Sequence, residues 1–193
     1  RQTLREARRR NPAAKIVITG CYAQAQPAAL AALPGLDGVF GTGERAAIAD
    51  WLPRVLAAAS PLLEVGRPEG AAPAPASRPR PAAAARTRAE VKIQDGCDLR
   101  CAYCLIWRAR GRSRSREPEA VLQEIAGLRE RGAPEVVLTG VHVGAYGRDA
   151  APRSSLAALV AAVLARFPGL KVRLSSLHPE DLGEPYPVTR EGP

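Results

Sequence analysis

Residues 91–175 alternate between short β-branched runs and longer stretches with helically spaced apolar side chains, and this alternation restricts the fold more than any other feature of the chain. Val91–Gln94 reads as a strand. Residues 117–131 (EPEAVLQEIAGLRER) read as a helix, with Pro118 in its first turn and Glu117 and Glu119 at the positive end of its dipole. Val121, Leu122, Ile125 and Leu128 share one face, Arg129 and Arg131 sit near the negative end, and Gly132 fits the C-terminal cap. Residues 135–139 (EVVLT) predict the next strand, 154–167 a second helix and 170–175 (LKVRLS) a further strand. Such a series gives βα units and a parallel sheet. Ligands of these sheets bind outside the carboxyl ends of the strands. The loop after Gln94, Thr139-Gly140-Val141 and Ser175-Ser176 all fall at such ends.

The N-terminal third has the same character. Residues 14–19 (AKIVIT) predict a buried strand ending at Gly20, and 27–33 a helix stopped by Pro34-Gly35. Asp37–Phe40 fits a short strand, and 43–58 a helix with a break or kink at Pro53. Residues 66–90 differ, with five prolines, nine alanines and almost no large apolar side chain. A stretch like this cannot bury enough surface to offset its ordering entropy. The expected organisation is therefore 1–65 as one α/β region, 66–86 as a Pro/Ala-rich linker and 87–193 as a second region.

Cys97-x-x-x-Cys101-x-x-Cys104 carries the chemistry. Three thiolates on one short loop led by a glycine suit a [4Fe–4S] cluster, which usually takes four cysteines, so one iron would stay open to a small molecule. Structural zinc is the alternative and needs a fourth ligand, for which Cys21, His142 and His178 are the candidates; buried cysteines gathered by coincidence are the third reading. A secreted disulfide framework would spread its cysteines more widely. No secretory signal is visible, and the longest apolar run, 156–165, is too short to span a bilayer. The reading is a cytoplasmic protein with no membrane partner. The chain contains no Met and is read as a fragment.

The 193 residues carry a formal charge of +9, which suits a polyanionic partner or an ordinary solvated basic surface. Arg100, Arg108, Arg110, Arg112, Arg114 and Arg116 fall beside the cysteine loop. RGRSRSR has neither helical nor strand patterning, and arginine can pair bidentately with phosphate and stack on bases. RNA contact is therefore expected, against a plain solvated loop. Gly140, Gly144 and Gly147 punctuate TGVHVGAYG, where missing side chains would let a ligand approach the backbone. His142 reads equally as a ligand contact or a packed loop residue, and Cys21 alone as a small buried hydrophobe.

Together, KIQDGC, the cysteine loop with Tyr103 before its last cysteine, ARGRSRSR, VVLTGVHVGAYG and VRLSS resemble the methylthiotransferases of the radical S-adenosylmethionine (SAM) superfamily. NPAAKIVITGCYAQ is similar to the end of that family's N-terminal domain. The resemblance covers residues 11–59 and 86–182. It implies an α/β fold, with part of an N-terminal methylthiotransferase domain followed by a truncated (βα) radical SAM partial barrel. It implies that Cys97, Cys101 and Cys104 hold a [4Fe–4S] cluster whose free iron chelates SAM, and that Cys21 is one ligand of a second [4Fe–4S] cluster. Tyr103, Thr139, Gly140, Val141 and Ser175 would contact SAM, and Arg108, Arg110, Arg112, Arg114 and Arg116 would contact RNA. The RGRSRSR form is most similar to the branch that methylthiolates C2 of N6-threonylcarbamoyladenosine at tRNA position 37. Other branches act on isopentenyladenosine in tRNA or on an aspartate of a ribosomal protein. The implied partners are tRNA, an electron donor such as flavodoxin or ferredoxin, and a sulfur source. The sequence departs from the family's pattern at Trp107-Arg108, where a Pro-Tyr pair is usual, and at Glu90, where an apolar residue is usual.

Overall fold

A computed structural model describes residues 2–68, 88–175 and 177–183. Most of the expected linker, from residue 69 on, and Ser176 lie outside the described residues. The chain divides into two compact units. The first is formed by Arg1–Ala72 and Asp98–Arg112, the second by Pro73–Cys97 and Ser113–Pro193.

The first unit holds α1 (Gln2–Arg10), β1 (Val17–Thr19), α2 (Cys21–Ala25), α3 (Pro27–Ala31), β2 (Gly38–Phe40), α4 (Ile48–Ala57), β3 (Leu62–Glu64) and α5 (Ile106–Arg110). The three strands form a parallel sheet in the order β1-β2-β3. Its core is small: Ala23, Leu30, Leu36 and Val39 are buried, and Leu4, Ile16 and Ile18 pack against them. Polar contacts add to this. Arg8 of α1 donates to the carbonyls of Pro12, Ala14 and Gly35 and pairs with Asp37 at 2.9 Å. Asp37 in turn accepts from the backbone N–H of Ile16, so α1 is tied to the entry of both β1 and β2. Of the break or kink expected at Pro53, the break does not occur: Pro53 lies inside α4 without ending it. Both Pro53 and Ala49, whose carbonyl its ring deprives of a donor, are exposed, so water can take that carbonyl. The strand β3 was not foreseen, because three residues are too few to show a period.

The second unit contains β4 (Ala89–Lys92), β5 (Gln94–Asp95), β6 (Arg114–Ser115), α6 (Pro118–Glu130), β7 (Glu135–Thr139), α7 (Leu156–Arg166) and β8 (Lys171–Leu174). Its main sheet is parallel in the order β4-β7-β8, the expected βα arrangement; among the described residues it is an open sheet and not a closed barrel. Every second residue of β7, Val136 and Leu138, is fully buried. Val121, Leu122 and Ile125 of α6 and Leu156, Leu159, Val160 and Val163 of α7 join them in one aliphatic core. Ser155 caps α7 by accepting the N–H of Ala158 at 3.1 Å, which sets the helix start. RGRSRSR is not featureless as expected: Arg114 and Ser115 form β6, antiparallel to β5. Such a two-residue strand is created by its partner and leaves no pattern in its own sequence.

Candidate functional site

The cysteine loop begins after the chain passes from β4 to β5 and changes sheet partner. At Ile93 the chain leaves its ladder with β7, its last bond there running from Ile93 N–H to the Thr139 carbonyl, and turns to pair with β6. This switch turns Gln94 inward, where it is 1% exposed. Its carboxamide oxygen accepts from the N–H groups of Val141 (3.0 Å) and His142 (2.9 Å). Its nitrogen donates to the Gly96 carbonyl (2.7 Å) and the Ser113 hydroxyl (2.9 Å), and also lies 3.0 Å from the Asp95 carbonyl. One side chain thus joins the stem that leads into Cys97, the far side of that stem, and the loop that leaves β7. Sequence reading missed Gln94, because Val91 and Ile93 set a period that points residue 94 away from the core. An uncharged amide between an apolar strand and Asp-Gly-Cys was the available signal.

Gly96, with φ 74°, delivers the chain to Cys97 in a conformation that favours glycine. Cys101 and Cys104 share one turn, closed by the Cys104 N–H on the Cys101 carbonyl at 3.0 Å. Helix α5 follows directly and packs on α2, the helix that starts with Cys21. Thr42, after β2, ties α5 down by donating its hydroxyl to the Ala109 carbonyl at 2.7 Å. The helices adjoining Cys21 and the Cys101–Cys104 turn are thus held together within the first unit. All four cysteines are half-buried and outside disulfides. Among the described residues no group of three or more His, Cys, Asp or Glu side chains converges on a metal position. The donor set of the loop still fits an iron–sulfur cluster: it offers soft sulfur ligands, whereas magnesium or calcium would want oxygen.

At the carboxyl edge of the second unit's sheet, Thr139, Gly140 and Val141 follow one another as expected. A Cβ on Gly140 would sit 3.0 Å from the Gln94 carbonyl oxygen and carboxamide oxygen, so its clearance is filled by protein. Ser175 lies at the end of the neighbouring strand, its N–H on the Leu138 carbonyl at 3.3 Å and its hydroxyl 3.4 Å from the same oxygen. Tyr103 is 94% exposed.

His142 is a packed loop residue, bonded through Nε2 to Asp181 at 3.0 Å, with the His178 ring 4.3 Å away. Asp181 is buried and also accepts from the His178 N–H (3.0 Å) and from Arg148 (3.2 Å). Burial alone would raise its pKa. The bonds from His178 and His142, and the charges of His142 and Arg148, outweigh burial and hold the carboxyl below its ordinary value. The Asp181 carboxylate fills the space where a side chain on Gly144 would stand. Tyr146 donates its hydroxyl to the Arg116 carbonyl at 2.7 Å. Burial, then the nearby charge of Glu117, pushes its pKa up to about 12 despite Arg116.

The arginines differ in exposure and in partners. Arg116 is nearly buried, paired with Glu124 at 2.6 Å and donating to the Lys92 carbonyl. Arg110 and Arg114 are half-buried, and the exposed Arg112 lies 3.5 Å from Asp98. Arg108 is exposed and stacks over Trp107.

The profile of the radical SAM superfamily matches residues 91–181, the span from β4 to Asp181. Over 178 residues the chain is 38% identical to threonylcarbamoyladenosine tRNA methylthiotransferase MtaB of Bacillus subtilis, covering 92% of this chain and 39% of that protein. It is 36% identical over 183 residues to tRNA-2-methylthio-N(6)-dimethylallyladenosine synthase of Carboxydothermus hydrogenoformans, covering 93% and 41%. Ribosomal protein uS12 methylthiotransferase RimO of Desulfosudis oleivorans is 36% identical over 173 residues, covering 87% and 38%. The sheet, the three-thiol loop and this profile define a radical SAM domain. The chain is similar to methylthiotransferases of that superfamily, and spans about two fifths of the length of these relatives. No helix among the described residues is long and apolar enough to cross a membrane.

Proposed function

We propose that the full-length protein methylthiolates C2 of N6-threonylcarbamoyladenosine at position 37 of tRNA. The observation that carries this reading is the Cys97, Cys101 and Cys104 loop, led out of β5 by Gly96 and tied through Gln94 to the end of β7. The cluster would be held by these three thiolates and, when bound, would supply the electron that cleaves SAM. The chain's own residues position and shield. Gln94 holds the Val141 and His142 amides and the stem of the loop in one arrangement. Thr139, Gly140, Val141 and Ser175 offer strand-end polar groups to SAM, and Tyr103 offers its exposed ring to the adenine. Cys21 serves a second [4Fe–4S] cluster, and the exposed arginines Arg108 and Arg112 contact tRNA. Flavodoxin or ferredoxin supplies electrons, and a separate donor supplies sulfur.

Mass spectrometry of tRNA nucleosides from a strain lacking the gene tests the substrate. The methylthiolated form of threonylcarbamoyladenosine should disappear and return with the wild-type gene, but not with Cys101→Ala. Its persistence, together with loss of the methylthio group from isopentenyladenosine or from ribosomal protein uS12, would move the assignment to one of those branches. The 36% identities to such relatives support that second reading. Anaerobic reconstitution tests the cluster: near-stoichiometric zinc without sulfide would sink it.

A further inference from the structure

Two guanidinium groups converge on one indole in the segment that carries Cys101 and Cys104. Cζ of Arg108 lies 4.8 Å from the Trp107 ring centroid, and Cζ of Arg100 lies 5.6 Å from it. Both distances fall inside the range of about 6 Å over which an aromatic face attracts a cation. Both arginines are exposed, while Trp107 is half-buried and therefore anchored. Stacking on an anchored ring restricts a long side chain before any ligand arrives. It leaves the N–H edge of the guanidinium available to an acceptor, which lowers the ordering cost of binding.

The local charge selects the acceptor. Residues 98–112 contain Arg100, Arg108, Arg110 and Arg112 against one acid, Asp98, which is placed 3.5 Å from Arg112. Arg116 is spent on Glu124. The stacked pair is thus the exposed, preorganised part of the basic run. Its planar forks match phosphate oxygens bidentately, a geometry a lysine pair could not offer. This is also where the sequence departs from the family's usual Pro-Tyr.

We propose that Arg100, Trp107 and Arg108 form a phosphate clamp that grips the backbone of single-stranded RNA. The clamp rests on the tRNA reading above and locates its backbone contact on two stacked arginines, Arg100 and Arg108.

Binding of a fluorescently labelled tRNA anticodon-arm RNA to the full-length, reconstituted protein, followed by anisotropy over a range of KCl, tests it. Arg100→Ala with Arg108→Ala should weaken binding about tenfold and flatten the slope of log K against log salt by about 1.4, because each single-strand phosphate contact contributes about 0.7. Trp107→Ala keeps both charges, so the slope should stay while affinity falls about threefold, and Trp107→Phe should restore most of it. An unchanged slope in the double variant overturns the clamp and leaves the tRNA reading standing. Wild-type protein that fails to bind the RNA overturns both. A double variant that binds RNA normally but no longer binds flavodoxin, an acidic redox protein, would show that the clamp serves a protein partner instead. Circular dichroism melting checks each variant. Should Trp107→Ala unfold, the double arginine variant alters only exposed side chains and still decides.

Discussion

Each unit places a glutamine at the carboxyl edge of a three-stranded parallel sheet, Gln24 in the first and Gln94 in the second. The two amides bond similar groups in different surroundings. Gln24 accepts from the Thr42 N–H and donates to the Gly66 carbonyl, bridging the exits of β2 and β3. Gln94 joins the exit of β7 to both sides of the cysteine-loop stem. Gln24 is half-exposed over a small apolar cluster, whereas Gln94 is buried beside a much larger one. Water can replace a lost partner at Gln24 and cannot at Gln94. The contrast teaches that the loop bearing Cys97 is held by a polar joint whose stability comes from burial. The helix that starts with Cys21 is held by one that solvent can repair.

The largest effect expected from the buried side of this contrast is at Asp181. Asp181→Ala removes a buried carboxylate from His142, the His178 N–H and Arg148, and should destabilise the full-length protein by about 3 kcal/mol in urea unfolding. Its lowered pKa adds a pH signature. The contribution is complete above the unfolded value near pH 4 and is lost as pH falls through the folded pKa. The stability gap between wild type and Asp181→Asn should therefore narrow below about pH 4; a gap that widened there would contradict the assigned network.

Gln94→Ala orphans the Val141 and His142 amides and should cost about 2–3 kcal/mol. Hydrogen–deuterium exchange should localise the loss to residues 94–97 and 139–143. Gln24→Ala should cost about 1 kcal/mol, with faster exchange confined to Thr42 and Gly66. Equal costs for the two glutamines would break the comparison, since burial would then make no difference. Arg10→Ala, which deletes an exposed pair with Glu6, should change stability by less than about 0.5 kcal/mol and fixes the lower end of the scale.

Much of the second unit was legible beforehand, for local reasons. The helix over 117–131 appears as Pro118–Glu130, and its predicted face of Val121, Leu122 and Ile125 is buried, because caps and a 3.6-residue period are written within one element. The strand at 135–139 appears with its predicted bounds. The first unit was less legible. The helix expected over 27–33 appears as Pro27–Ala31, but the short helix before it, Cys21–Ala25, was not foreseen. Segments this short carry too few residues to show a period, and their partners in space decide them. The glycines of TGVHVGAYG were noticeable, but their cause was not. At Gly140 and Gly144 the missing side chains make room for Gln94 and Asp181, the second of which lies 37 residues further along the chain.

The sequence by itself determined the thiol spacing, the βα alternation and the excess of arginine. All three are properties of neighbouring residues, and they led to the family. Only the tertiary structure decided which polar groups act. Gln94 turns inward where the chain, after Ile93, leaves β7 and pairs with β6 through β5. His142 is packed because Asp181 returns to it. Of the basic run, Arg116 is nearly buried against Glu124, while Arg100 and Arg108 stand exposed on Trp107. Identical guanidinium groups thus take opposite fates, because burial and partner are set by contacts across the fold and leave no mark on the local sequence.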